Sequence, residues 1–204
     1  MNTVIFDTKE VSPSKVVCIG RNYVDHIKEL DNEVPTSMVL FMKPNSAISM
    51  ELTNKQQTPL HYEGELSFML IDGKIKAVAF GLDLTNRTLQ NELKVKGLPW
   101  ERAKAFDGAA VFGKFVSIEE KDIEELSLEL WINGVLVQEG NTGLMINKPN
   151  EVITEINLFS TLCTYDIVMS GTPKGVGGFV KGDHFIGKVF LRGKEINVTE
   201  WTAQ

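Results

Sequence analysis

The sequence predicts an α+β fold that is mainly β, on three observations: period-2 runs dominate, Gly-containing turns separate them, and helical patterns are few. In chain order, Tyr23–Leu30 reads as a short helix. HYEGELSFML (61–70) and AVAFGLDLTNR (77–87) read as strands, with Phe80, Leu82 and Leu84 alternating with Gly81, Asp83 and Thr85. RTLQNELKVKG is the clearest helix, with Leu89 and Leu93 four apart and Gly97 as its stop. In SLELWINGVLVQEG, Leu128, Leu130 and Ile132 alternate with Glu129 and Trp131, and Asn133-Gly134 tolerates the positive φ of a two-residue turn. Strands over 127–132 and 135–139 are therefore predicted to pair antiparallel. Asn150 is predicted to cap a third helix whose apolar face is Val152, Ile153, Ile156 and Phe159. DIVMSG, HFIGKVFL and EINVTEW complete the set as short strands. Such a set suits a sheet rolled or folded on itself with peripheral helices.

At 204 residues the chain suits one unit, 1–204, long enough to bury a substantial core. The formal net charge of -6 argues against nucleic acid or an anionic membrane as main partner, since both reward clustered Lys and Arg, and points to a small molecule. No basic region precedes a long apolar stretch, and no segment is apolar for the ~18 residues that span a bilayer, so the chain reads as cytoplasmic. Cys18 and Cys163 lie far apart and in no metal-ligand spacing; both read as buried reduced thiols.

Glu63 and Glu65 sit two apart ahead of an apolar run, so on a strand they share one face with Cα atoms roughly 7 Å apart. They repel unless one takes up a proton or a cation lies between them. Asp83 stands opposite the large apolar residues of its own strand and can supply a third oxygen ligand. Three carboxylates without Cys or His in matching spacing suit a hard divalent ion, Mg²⁺ or Mn²⁺ before Zn²⁺, with Ca²⁺ a further candidate. Two other readings compete. A Glu-x-Glu pair on a strand is most often a solvated outer face. His61 shares that face and suggests a facial iron site, although only His26 and His184 remain to complete it.

His26 and Glu29, three apart, suit either an ordinary surface pair or a base with its orienting carboxylate. Lys104 and Arg87 are the cations wanted near a substrate carboxylate, yet each taken singly reads as surface. The loop GTPKGVGGF (171–179) lets backbone N–H groups approach an anion, but it lacks the phosphate-loop pattern.

Six stretches together resemble the fumarylacetoacetate hydrolase family: CIGRNYVDHIKEL (18–30), FMKPNSAI (41–48), HYEGELSFML (61–70), GLDLTNRTLQNELKVKGLPWERAKAFDGAAVFG (81–113), LELWINGVLVQEGNT (128–142) and SGTPKGVG (170–177). They span nearly the whole chain in conserved order, and look nearest to the branch with acylpyruvases and oxaloacetate decarboxylases. The resemblance implies the mixed β-roll typical of that family's C-terminal domain, usually a homodimer, with Glu63, Glu65 and Asp83 holding Mg²⁺ or Mn²⁺. It further implies a lid carrying His26 and Glu29 that activates water, Lys104 holding substrate, and Arg87, Gln90 and Thr172 lining the pocket. The implied activity is metal-dependent hydrolysis of a carbon–carbon bond in acylpyruvates or related β-dicarbonyl acids, with oxaloacetate decarboxylation available from the same enolate. A tautomerase or isomerase of 2-oxo acids is the alternative within enzymes; a metal-stabilised binding protein without turnover is the alternative outside them. Two departures stand out: IDGKIKAV (71–78) is shorter than the link of relatives, and Thr88 stands where many carry Asp.

Overall fold

The computed structural model describes residues 1–29, 35–54 and 58–204. Its centre is an eight-stranded mixed sheet. Seven strands run in the order Val39–Pro44, Lys15–Gly20, Ile167–Met169, Gly64–Ile71, Lys74–Asp83, Ala110–Phe112 and Ile48–Ser49, and Val116–Ser117 pairs with Lys74–Asp83. Lys15–Gly20 with Ile167–Met169, and Ile48–Ser49 with Ala110–Phe112, pair parallel; the other pairs in this sheet are antiparallel. A four-stranded antiparallel sheet, in the order Val135–Asn141, Leu126–Ile132, His184–Leu191 and Lys194–Thr202, lies against it.

Period 2 sorts the large sheet into two buried faces. Val17, Ile19, Leu66, Phe68 and Phe80 face the smaller sheet and pack with Leu128, Leu130, Phe185 and Trp201. Val16, Cys18, Met69, Ala77, Ala79 and Phe112 point the other way into a second cluster with Val4 and Phe115. Gly187 makes room between the sheets: a Cβ there would meet Phe80 Cδ1 at 2.3 Å. Filling that gap with a fully buried phenyl ring is worth about 1.5–3 kcal/mol.

The Asn133-Gly134 turn forms as predicted, both residues at positive φ (51° and 80°). Helix α1 spans Val24–Glu29; Leu30, placed at its end in the sequence reading, lies outside the described residues. Helix α2 spans Arg87–Val95, with Gly97 at φ 63° just beyond it, and α3 is the short Glu101–Lys104. Helix α4, Pro149–Asn157, corrects two expectations. Its first residue is Pro149, whose missing N–H is no loss there, so Asn150 lies inside the helix; Glu151 instead accepts the Lys148 backbone N–H at 2.7 Å. Phe159 falls beyond the last turn and is exposed. Cys18 is buried as expected, but Cys163 is exposed, in the turn leading to the Ile167–Met169 strand. The short link at 71–78 is a hairpin over Asp72-Gly73, both at positive φ. No helix among the described residues is long and apolar enough to cross a membrane.

Asp166 fastens the chain's first long strand to its parallel neighbour. Its carboxylate accepts from Ser14 N and Oγ (2.9 and 2.6 Å), Lys15 N and Nζ (3.1 and 2.6 Å) and Cys163 N (2.9 Å). Burial opposes its charge, but the bonds from Lys15 and Ser14 outweigh burial and hold the carboxyl below its usual range. A depressed carboxyl stabilises the fold above its unfolded value of about 3.9, and that contribution is lost as pH falls through the folded value. Asp166→Asn is expected to cost about 1.5–3 kcal/mol at pH 7, the worth of bonds to a charged group. In urea melts the deficit against wild type should shrink at pH 3; an equal deficit at both pH values would refute the charge's role.

Candidate active site with a carboxylate cluster

Backbone pairing brings the three acidic residues together. Glu63 sits at the break between the short strand His61–Tyr62 and the strand Gly64–Ile71, and Glu65 is the second residue of the latter. Glu65 faces Gly81 across the ladder, and Asp83 N donates to Glu63 O at 2.9 Å, so the last residue of its strand ends beside the break. One carboxylate oxygen from each of Glu63, Glu65 and Asp83 lies within 4.8 Å of the others. All three are buried, at 6%, 1% and 1% exposure, which rules out a solvated outer face. Gly64 must lack a side chain, because a Cβ there would meet Phe80 Cζ at 2.8 Å and Gln138 Oε1 at 2.9 Å.

Cations surround the cluster. Lys104, at the end of α3 and 3% exposed, places Nζ 2.9 Å from Glu63 Oε2, 2.7 Å from Asp83 Oδ2 and 2.6 Å from Thr85 Oγ1. Asn86 caps α2 by accepting from Leu89 N at 3.1 Å, so the helix begins at once after the strand and presents Arg87 and Gln90 one turn apart on the same side. Arg87 donates to Glu63 Oε1 and, at 2.7 Å, to Gln90 Oε1. Neither Lys104 nor Arg87 is the surface residue that its local sequence suggests.

These neighbours treat the glutamates differently. Burial acts to raise the Glu63 carboxyl, but Lys104 and then Arg87 outweigh it and hold the group far below the usual range. Glu65 forms no ion pair among the described residues; it accepts Gly171 N–H at 2.7 Å. Burial, then Asp83 and Glu63, push its carboxyl well up. Lys104 is the converse case: burial acts to lower it, yet Asp83 and Glu63 prevail and raise it.

The glycine loop serves the protein's own carboxylates. Gly171, at φ 88°, supplies the N–H on Glu65, and Gly175, at φ 98°, donates to Glu29 Oε1 at 2.9 Å. Thr172 Oγ1 donates to Gly64 O at 2.9 Å and accepts from Gln138 Nε2 at 2.8 Å. On α1, buried His26 holds Nδ1 3.2 Å from Glu29 Oε2. A cavity of about 40 Å³ is lined by His26, Glu63, Glu65, Arg87, Gln90, Lys104 and Thr172. Glu29 and Asp83 stand behind His26 and Lys104.

The donor set fits a hard divalent cation. Three buried carboxylates converge, no imidazole or thiol joins them among the described residues, and the iron-site reading therefore loses its histidines. Asp83 Oδ1 has no aligned hydrogen bond although Lys43 Nζ lies 2.7 Å away, so that contact is ionic. Local sequence reading missed Arg21, Lys43, Lys94 and Trp100. Arg21, Lys94 and Trp100 line the cavity, and Lys43 lies beneath it with no exposed surface. Lys43 alone carried a signal, a lysine inside the apolar run VLFMKP.

Comparison with known proteins shows the family. The family description "Fumarylacetoacetate (FAA) hydrolase C-terminal" matches residues 15–199, and the chain belongs to that family. Oxaloacetate tautomerase oaa1, a mitochondrial protein of Schizosaccharomyces pombe, is 40% identical over 188 residues, covering 83% of this chain and 85% of the relative. A fumarylacetoacetate isomerase/hydrolase candidate from Oleispira antarctica superposes with a TM-score of 0.93 at 32% identity, over 100% of both chains. The fumarylpyruvate hydrolase of Pseudomonas aeruginosa, solved with Mn²⁺ and pyruvate, gives 0.88 at 26% identity, over 99% of this chain and 95% of its own.

Proposed function

We propose that the protein is a divalent-metal-dependent enzyme that enolises small 2-oxo acids, interconverting the keto and enol forms of an oxaloacetate-like acid. The convergence of the Glu63, Glu65 and Asp83 carboxylates beside Lys104, with Glu63, Glu65 and Lys104 lining a small cavity, carries this reading. The tautomerase named among the relatives and the Mn²⁺–pyruvate complex of the hydrolase support it. A cation held by the three carboxylates supplies Lewis-acid polarisation of the 2-oxo carbonyl. Arg87 and Lys104 bind the substrate carboxylate, and Gln90 orients Arg87. Glu29 accepts Nδ1–H of His26, which leaves Nε2 to take a proton from the carbon next to the carbonyl; the carbonyl oxygen, receiving the electrons of its double bond, takes up a proton in turn. The electrons of that C–H bond form the enol double bond, so no co-reactant is consumed. At roughly 10–15 Å³ per water, the cavity holds only a few molecules.

The His26–Glu29 pair favours a second reading from the same site, hydrolysis of an acylpyruvate by water activated at Nε2. Both readings are tested by following enol absorbance with oxaloacetate and with acetylpyruvate, with Mn²⁺ or Mg²⁺ and again with chelator. Enol–keto exchange of oxaloacetate should accelerate only with metal. No acceleration of either substrate by Mn²⁺-loaded protein would leave a binding protein without turnover.

A further inference from the structure

Lys43 is the largest charged side chain with no exposed surface in the described chain, and neither metal binding nor proton transfer, as proposed above, uses it. Its surroundings are specific. Nζ donates to Lys104 O, to Ala109 O at 3.0 Å and to Leu84 O at 3.5 Å, and lies 2.7 Å from Asp83 Oδ1. Leu84 follows the strand that ends in Asp83, Lys104 ends α3, and Ala109 precedes the strand Ala110–Phe112. One ammonium with three donors therefore ties together the segments that carry Asp83 and Lys104.

The Asp83 carboxylate is gripped from both sides, Oδ1 by Lys43 and Oδ2 by Lys104. The two grips differ in permanence. Lys104 lines the cavity and shares its Nζ among Glu63, Asp83 and Thr85, so it can exchange one carboxylate for another anion. Lys43 has no exposed surface and is held by main-chain carbonyls. Carboxylate rotation about the last torsion of aspartate is soft, so something must fix it when Lys104 turns away.

We propose that Lys43 is a positioning residue: it sets the rotation of the Asp83 carboxylate and the seat of Lys104, so that Asp83 receives a divalent cation while Lys104 turns to substrate. This rests on the reading that the cluster binds a cation. Positioning and plain electrostatics differ in sign. Removing a positive charge near a cation site should by Coulomb's law tighten cation binding. Losing a group that orients a ligand should weaken it, by 10–100-fold as for other outer-shell partners.

The test is a Mn²⁺ titration by calorimetry of wild type and Lys43→Met, with far-ultraviolet circular dichroism confirming that both are folded. Weaker binding by tenfold or more in Lys43→Met is expected. Unchanged or tighter Mn²⁺ binding with a lowered Tm would overturn the inference and leave Lys43 a strut of the fold. Should Lys43→Met not fold, Lys43→Gln, which keeps a donor for the carbonyls, is titrated in its place. Failure of both to fold would likewise assign the residue to structure alone. Wild type that binds no Mn²⁺ would instead overturn the metal reading itself, together with the positioning role that depends on it.

Discussion

Asp83→Asn is expected to abolish turnover and to weaken Mn²⁺ binding by more than the 10–100-fold typical of losing an outer-shell partner. The amide keeps the volume and one acceptor, but it removes one of the three carboxylates proposed as ligands and the charge facing both Lys43 and Lys104. Leaving buried cations short of a partner costs about 3–5 kcal/mol, against a total stability of about 5–15 kcal/mol for a domain. Glu63 still faces Lys104 at 2.9 Å, and main-chain carbonyls still surround Lys43, so a folded protein with a lower Tm is the expected product. Calorimetry on that folded protein separates the two effects. Undiminished Mn²⁺ affinity would remove Asp83 from the ligand set even if activity were lost.

How much of this was legible in the chain depends on the range of the interaction. The hairpin at Asn133-Gly134 and the helix Arg87–Val95 follow from neighbours in sequence, and both form where the pattern puts them. The third helix was legible as an apolar period, but its start was misread because Pro149 at the first helical position outranks a cap at Asn150. The acidic cluster was only half legible. Two-residue spacing aligned Glu63 with Glu65, whereas Asp83 reaches them through the ladder that pairs Gly64 with Leu82, a register that no local pattern states. Glycine at position 64 reflects the Phe80 ring and the Gln138 amide, residues distant in sequence. Lys43 and Lys104 illustrate the same limit. A lysine reads as surface until enough oxygens are brought around it, and those of Leu84, Ala109, Glu63 and Asp83 come from separate segments. Resemblance to a family bridged that gap for Lys104, and left Lys43 without a role.

The second large effect is expected in α1, where His26→Ala and Glu29→Gln should separate reactions that share one cavity. Enol–keto exchange needs a proton moved at carbon, and acylpyruvate hydrolysis needs a proton taken from water; in the proposed mechanism both call on His26 Nε2 with Glu29 behind it. Loss of CO₂ from oxaloacetate needs neither, because the carbon–carbon electrons pass directly into the enolate. His26→Ala should therefore slow exchange and hydrolysis by about 10²–10⁴, the range typical of losing a general base, and slow decarboxylation much less. Glu29→Gln should act in the same direction more weakly, since the amide still offers Nδ1 an oxygen but a neutral and therefore weaker acceptor. Glu29 has another duty that sets the control: its Oε1 accepts Gly175 N–H at 2.9 Å and so ties α1 to the glycine loop beside Thr172. A defect in that closure would lower every reaction together. All three rates are to be measured at saturating Mn²⁺ in both variants. Equal losses across exchange, hydrolysis and decarboxylation would refute proton transfer by His26 and leave α1 a cover over the cavity.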